Sequence, residues 1–411
     1  MELVPLHKRV IGLDVHQAQI TACAIIEGAD SVTRFERSTF KTFKRGLREL
    51  AAWCVGLRPD VVVMESTGIY WKSPHAALEK AGLSCQVVNA HHVKNVPGRK
   101  TDVCDAEWLA TLARAGLLKS SFVAPEKLRR LRLVSRQRQK LVGMLAAEKN
   151  RLAKVLADAG IRLGVVVSDI NGKSSRAMIA ALIAGATPEQ ALEHASRRLK
   201  APRAEIADAL DGDISEEHRF VLSAILAHID LLHAKVREFD DHLIAKLDRC
   251  EEKNALALLQ TIPGIDRIGA AMLLVEIGTT MALFAGPDHL ASWAGLCPGN
   301  NKSAGKRKRE RQRKGNSYVR RLLCEFAHAA SKTRSAFRAK YQALTIRRGH
   351  KRAIMACAHK MLRTIWAMLL RSQPYRDGTI DYAALIVRRN APRWIKALAS
   401  HGYLSATAAT R

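Results

Sequence analysis

RVIGLDVHQAQITACAIIE, residues 9–27, reads as two strands, RVIGLDVH and QITACAIIE, joined by a very short link. Strand alternation sets the faces: Ile11, Leu13 and Val15 share one side, while Asp14 shares the other with Gly12 and His16. Residues 31–37 offer a third strand. A helix over 41–56, the strand DVVVMES at 60–66, a helix over 72–82 and the strand SCQVV at 84–88 follow. Strands first, then strands alternating with helices, predict a mixed sheet with helices packed on it.

Acids sit where such a sheet should be apolar. Glu65 shares a face with Val61 and Val63 at the end of its strand. In RKTDVCDAEWLATLARAG, residues 99–116, Asp102, Asp105, Leu109 and Leu112 are spaced 3, 4 and 3, which puts them on one helix face. Leu109 and Leu112 should pack on the sheet and turn both aspartates toward it, whereas Glu107 should point to solvent. With Thr101 as N-cap, the helix dipole favours acids there, but it does not require two of them on the buried stripe. Carboxylates held together repel unless cations sit among them. Oxygen-rich sites of this kind suit Mg²⁺, and two ions can clamp both oxygens of a phosphodiester under attack. Arg99 and Lys100, just before, are candidates for backbone contact.

The 411 residues carry 67 Lys and Arg against 38 Asp and Glu, a net charge of +29, which points to a polyanionic partner, nucleic acid ahead of membrane. The eight cysteines are scattered without a CxxC pair, which excludes zinc-finger and thioredoxin-like chemistry and reads as small core residues in a reducing compartment. No signal peptide and no apolar run of membrane-spanning length are evident, so a cytoplasmic protein is expected.

After Pro125 the pattern becomes helical. Residues 126–156 form a basic helix with Arg129, Arg130, Arg132, Arg136, Arg138 and Lys140, and an alanine-rich connection runs to about residue 215. From 217 to 250, Ile225, Ile229, Leu232, Val236, Phe239 and Leu243 are spaced alternately four and three. This suits a coiled-coil seam in an antiparallel hairpin or a dimerising arm, or else one face of a bundle helix. TIPGIDRIGAAMLLVEIG, residues 261–278, reads as a helix-hairpin-helix-like turn that offers backbone N–H groups to a phosphate. In GNNKSAGKRKRERQRKGNSYVRRLL, residues 299–323, Lys302, Lys306, Arg307, Lys308, Arg309, Arg311, Arg313 and Lys314 are nucleic-acid-binding candidates, as are Arg129 and Arg130. Ser303 lies among them in a small turn. That stretch suits a plain basic patch on phosphate backbone, or a loop that exposes a hydroxyl nucleophile.

IGLDVH (11–16), MESTGIYW (64–71), GRKTDVCDAEWLA (98–110), TIPGIDRIGAAMLLVEIG, LASWAGLCPGNNKSAGK (290–306) and KGNSYVRRLL (314–323) together resemble the IS110/IS1111-type transposases, also called DEDD transposases or bridge-RNA-guided recombinases. The resemblance implies an α/β RuvC-like (RNase H-like) domain over 1–125, with a metal-binding tetrad on Asp14, Glu65, Asp102 and Asp105. It further implies a helical coiled-coil linker over 126–253, a mostly α-helical transposase domain over 254–385 with Ser303 as nucleophile, and a peripheral tail over 386–411. Element and target DNA, a noncoding bridge RNA and a second or fourth copy of the chain are the implied partners. Ala304 stands where the family often has glycine, and ERQR makes the approach to Lys314 unusually basic. Two other readings of the same residues are a structure-selective nuclease using activated water and a nucleic-acid-binding architectural protein.

Overall fold

The computed structural model describes residues 5–28, 30–66, 68–90, 93, 104–249, 252–297, 302–303, 306–307, 315–378 and 382–403. The chain divides into two compact units, residues 1–126 and 127–411.

The first unit is built on the predicted mixed sheet. Strands β1 (Arg9–Val15), β2 (Gln19–Glu27) and β3 (Thr33–Lys41) form an antiparallel meander, and helix α1 (Lys44–Leu57) leads to β4 (Val61–Glu65), which runs parallel to β1. Helix α2 (Lys72–Lys80) then connects to β5 (Cys85–Val88), parallel to β4, giving the order β3-β2-β1-β4-β5. Alternation separates two cores. Ile11, Leu13, Val15 and Met64 pack with Leu50 and Cys54 of α1 and Leu78 of α2. On the opposite face Val10, Val61, Val63 and Val88 pack with Leu109 and Leu112 of helix α3 (Asp105–Arg114).

Gly12 explains how closely α3 approaches. A Cβ built there would stand 2.0 Å from the Ala106 carbonyl oxygen and 2.7 Å from the Ala110 nitrogen. Only a residue without a side chain lets helix backbone rest on strand backbone. Among the described cysteines Cys23, Cys54 and Cys357 are buried as the expected core residues, and burial pushes the thiols of Cys54 and of the half-buried Cys85 up to about 12. Cys104 is exposed.

In the second unit, helices α4 (Glu126–Asp158) and α9 (Glu216–Asp248) run antiparallel. Asp158 meets His218 at 3.2 Å, Glu148 meets His228 at 3.2 Å and Arg138 meets Asp240 at 2.6 Å, so a step back along α4 matches a step forward along α9. The alanine-rich connection is not a loose link. It folds into four helices, α5–α8 (Leu163–Val166, Lys173–Ile183, Pro188–Leu192, Arg203–Leu210), which bury Met178, Ile179, Leu182 and Ile206 against Leu152, Leu156, Leu222 and Ile225. Alanine-rich sequence looked featureless because each helix contributes only a few large side chains. Of the predicted seam, Ile225, Ile229, Leu232 and Leu243 are buried, and Val236 and Phe239 are partly buried.

Beyond this hairpin lie α10 (Lys253–Gln260), α11 (Arg267–Ile277), α12 (Pro287–Trp293), a two-stranded ribbon of β6 (Lys302–Ser303) and β7 (Lys306–Arg307), α13 (Ser317–Ala330), α14 (Ala336–Arg348), α15 (His350–Arg371) and α16 (Tyr382–Ser400). The Pro-Gly turn between α10 and α11 uses Gly264 at φ +89°, and a Cβ there would meet the Ala330 nitrogen at 2.6 Å. Asp266 caps α11 by accepting from the Gly269 N–H at 2.8 Å. Every residue of α11 from Gly269 to Ile277 is buried, as expected of a helix that is apolar all round. Among the described residues α15 has the length and composition to cross a membrane. Its Ala353, Ile354, Cys357, Met361, Leu362 and Ile365 are nevertheless buried within the unit.

Candidate functional site

Asp14 is the next-to-last residue of β1 and Glu65 the last of β4. The parallel register pairs Leu13 with Met64, which sets the two acids side by side at the carboxyl ends of adjacent strands. In open α/β sheets that end is where ligands gather. Both acids lie on the face covered by α3, because they alternate in phase with Val10 and Gly12 and with Val61 and Val63. The Asp14 carboxylate is 27 % exposed, and its Oδ2 lies 3.1 Å from His16 Nε2. His16, on the same face in sequence, thus belongs to the site, although no motif gave it a role.

Asp105 is the first residue of α3 and is exposed. Its neighbour Ala106 rests over Gly12, two residues before Asp14, so the helix start hangs over the end of β1. The helix begins later than expected. Its N-cap is Cys104, with extended backbone at φ −65°, ψ 153°, and not Thr101. Asp105, Leu109 and Leu112 all lie on this helix. Arg99, Lys100 and Asp102 lie outside the described residues.

Glu107 is also corrected. Instead of facing solvent, its carboxylate pairs with Arg37 of β3 and keeps 18 % exposure. A wide sheet extends under the helix flank, and β3 supplies the cation that helix periodicity alone does not reveal. Carboxylate oxygens are the donors that a hard divalent cation takes, so Asp14, Glu65 and Asp105 fit Mg²⁺ by chemistry. Among the described residues no three His, Cys, Asp or Glu converge as a metal site.

In the second unit Lys302 pairs with Arg307 and Ser303 with Lys306 across the β6–β7 ribbon. The ribbon thus brings Ser303 and Lys306 into register. Lys308, Arg309, Arg311, Arg313, Lys314 and Ala304 lie outside the described residues.

What lies beyond that segment is tightly built. A Cβ on Gly315 would stand 2.4 Å from the Gly295 nitrogen, so the chain before and after residues 298–314 meets backbone to backbone. Asn316 N–H donates to the Trp293 carbonyl at 3.2 Å, while its side-chain oxygen accepts from Tyr318 N–H at 3.0 Å and Val319 N–H at 3.2 Å to cap α13. Its Nδ2 donates to Glu276 Oε2 at 2.8 Å. Glu276 is wholly buried and is held by Arg136 Nε at 2.8 Å and Nη2 at 2.9 Å, with Arg132 Nε at 3.4 Å. Arg136 also stacks 4.4 Å over the Tyr318 ring. Burial pushes the Glu276 carboxyl up, but the hydrogen bonds from Arg136 and the charges of Arg132 and Arg136 outweigh it and hold it below the usual carboxylate range.

The basic helix is therefore divided. Arg132 and Arg136 serve Glu276, and Arg138 grips Asp240 through two bonds at 2.6 and 3.2 Å. Arg130 is exposed and Arg129 is half-buried. Sequence reading missed Glu276, although an acid inside the apolar run MLLVEI is the same signal that singled out Asp14.

Residues 11–161 match the DEDD model for IS110, described as "Transposase", and residues 256–342 match the model described as "Transposase IS116/IS110/IS902 family". A "Probable family 20 transposase" of Pseudomonas aeruginosa is 26 % identical over 78 % of this chain and 87 % of its own. The "Transposase for insertion sequence element IS1111A" of Coxiella burnetii is 24 % identical over 90 % of this chain and 92 % of its own. Among solved structures, Thermus thermophilus RuvC in complex with a Holliday junction substrate overlaps 28 % of this chain and 99 % of its own, at 15 % identity and a TM-score of 0.21. With a model of the IS110-type transposases matched in each half, and relatives aligned along most of its length, this chain belongs to the IS110/IS1111-type transposases.

Proposed function

We propose that this DNA transposase is an insertion-sequence recombinase that exchanges strands through a serine phosphoester, with divalent metal held by carboxylates of a RuvC-like domain. The observation that carries the reading is that Asp14 and Glu65 each follow the register pair Leu13–Met64 at the ends of adjacent strands, on the face covered by the helix that begins at Asp105. The antiparallel meander followed by parallel β4 and β5 supports a RuvC-like domain over residues 1–125. Asp14, Glu65, Asp102 and Asp105 would hold Mg²⁺, two ions per site. The chemistry a bound metal would supply there is neutralisation of charge on the phosphate and the leaving oxygen.

The chain's own groups supply the rest. Ser303 Oγ attacks the scissile phosphorus, the P–O3′ bond breaks, and the proton lost by the hydroxyl ends on the departing 3′ oxygen. The resulting phosphoester keeps the bond energy, so a second 3′-hydroxyl can reverse the step and join a different strand without ATP. Lys302, Lys306 and Arg307 are assigned to the phosphate, with Arg99, Lys100, Arg129, Arg130, Lys308, Arg309, Arg311, Arg313 and Lys314 along the nucleic acid backbone. A noncoding bridge RNA would select both DNAs by base pairing, which leaves the protein to read shape and charge. Residues 126–253 are read as a coiled-coil linker that brings the serine of one copy to the carboxylates of another in a dimer or tetramer. The helix-hairpin-helix-like turn at 261–278 is read as a phosphate contact, residues 254–385 as the domain that delivers the serine, and 386–411 as a peripheral tail. The cytoplasm is the proposed compartment.

A denaturing gel of cleaved DNA tests this function. A protein–DNA adduct that vanishes in Ser303→Ala, together with loss of cleavage in Asp14→Asn at unchanged DNA affinity, is expected. Cut ends that persist in Ser303→Ala would instead indicate a nuclease using activated water, and tight binding without cutting an architectural protein.

A further inference from the structure

Residues 326–376 contain twelve Lys and Arg and no Asp or Glu, so no carboxylate within that stretch offsets its cations. Packing concentrates several of them. Helices α14 and α15 lie against each other, and Lys360 Nζ of α15 stands 5.9 Å over the ring of buried Phe337 on α14. Lys340, nearly one turn beyond Phe337, is half-buried. Burial lowers its ammonium from the usual lysine range, Cys357 draws it back, and the charges of Lys360 and Arg363 lower it further. His359 is likewise pushed down, first by burial and then by Arg363 and Lys340, with Asp288 opposing.

Asp288 of α12 pairs with Arg363 at 3.3 Å, whereas neither Lys340 nor His359 has an ion-pair partner among the described residues. Like charges gathered on a partly desolvated surface repel, and an anion joining them relieves that repulsion. Lysine supplies point charge and arginine a planar fork, the two donors that phosphate takes best. His359 also fixes the location. Its Nε2 lies 3.9 Å from Cys297 Sγ, and Cys297 is the last described residue before the segment that carries Ser303.

We propose that Lys340, His359, Lys360 and Arg363 form a phosphate-binding site that takes one backbone phosphodiester of a nucleic acid strand beside the entry to the serine-bearing segment. The site deepens the proposed function, and rests on it for the view that a strand runs along that segment. Binding competes with Asp288 for Arg363, so removing that carboxylate should help.

The test uses the full chain carrying Ser303→Ala, so that affinity is read apart from cleavage. Fluorescence anisotropy follows a labelled DNA duplex and an RNA hairpin of matched length over a range of salt. Lys340→Gln should weaken binding several-fold and reduce the log–log salt slope by about 1, the change expected when one phosphate contact is lost. Asp288→Asn should tighten binding. A loss confined to DNA assigns the strand as DNA, and a loss confined to RNA assigns it as RNA. Unchanged affinity and slope for both ligands in Lys340→Gln would overturn the site. Should that variant melt early, Asp288→Asn decides: tightening supports the site and no change overturns it. The covalent adduct is scored separately on the unmodified chain, so failure of the serine reading and failure of this site remain distinguishable.

Discussion

Glu276 and Arg136 form a two-pronged ion pair around a carboxylate with no solvent exposure, with bonds of 2.8 and 2.9 Å. The same carboxylate accepts from Asn316 at 2.8 Å, so one buried acid joins α4, α11 and the start of α13. Breaking a buried pair from one side leaves an uncompensated charge, which costs about 3–5 kcal/mol. Arg136→Ala removes two bonds and the stacking on Tyr318 and leaves Glu276 with Arg132 and Asn316. Because Arg132 still offsets the charge, urea unfolding of the second unit should show a loss toward the lower end of that range. A loss under about 1 kcal/mol, the scale of an exposed pair, would mean that the network does not hold α11 in place.

The same carboxylate gives a pH signature. Its folded pKa is depressed, so the group contributes stability that is present above the unfolded carboxylate pKa and lost as pH falls through the folded value. Unfolding midpoints should therefore be flat near neutrality and decline in the acid range. Glu276→Gln lowers the whole curve but removes one titrating group, so its acid slope should be shallower than that of the unmodified chain. Parallel curves would show that other carboxylates carry the acid response.

Gly12 is the position where α3 touches β1, and a methyl group there would penetrate the Ala106 carbonyl at 2.0 Å. Overpacking costs typically about 1–3 kcal/mol, and here the obstacle is backbone, which has no rotamer to yield. Gly12→Ala should destabilise the first unit by at least the upper end of that range and expose the amides of α3 to hydrogen exchange. Because Asp105 opens that helix, DNA cleavage should fall as well, while affinity carried by the second unit persists. Native-like exchange protection in α3 would refute the close contact.

The same alternation that made Asp14 and Glu65 stand out in the sequence also predicted which face α3 would cover, because period two is rigid in a strand. Helical period placed Leu109 and Leu112 correctly but could not locate the helix start. Cys104 takes the cap position without a side-chain bond, so no Ser, Thr or Asp marks it. Glu107 was misread for a different reason: Arg37, its partner, lies 70 residues earlier on β3. The alanine-rich stretch hid four helices because only a few large side chains mark their buried faces. Asn316 and Gly315 were legible as a motif, yet their work on Trp293, Gly295 and Glu276 is tertiary and has no local signature.

The basic helix α4 tests how charge is divided between fold and ligand. Arg130 is exposed, whereas Arg138 is tied to Asp240 with both side chains about one-fifth exposed. If the exposed arginine meets phosphate, Arg130→Ala should weaken nucleic acid binding and lower the salt slope by about 1. Arg138→Ala should act on the fold instead. It removes a partly buried pair between the antiparallel helices, so stability should fall by more than the ~1 kcal/mol of an exposed pair, with the salt slope unchanged. Anisotropy and thermal melting on the same preparations decide the matter. Equal effects of the two variants on binding would mean that Asp240 does not hold Arg138 away from the ligand, and that charge count alone governs this helix.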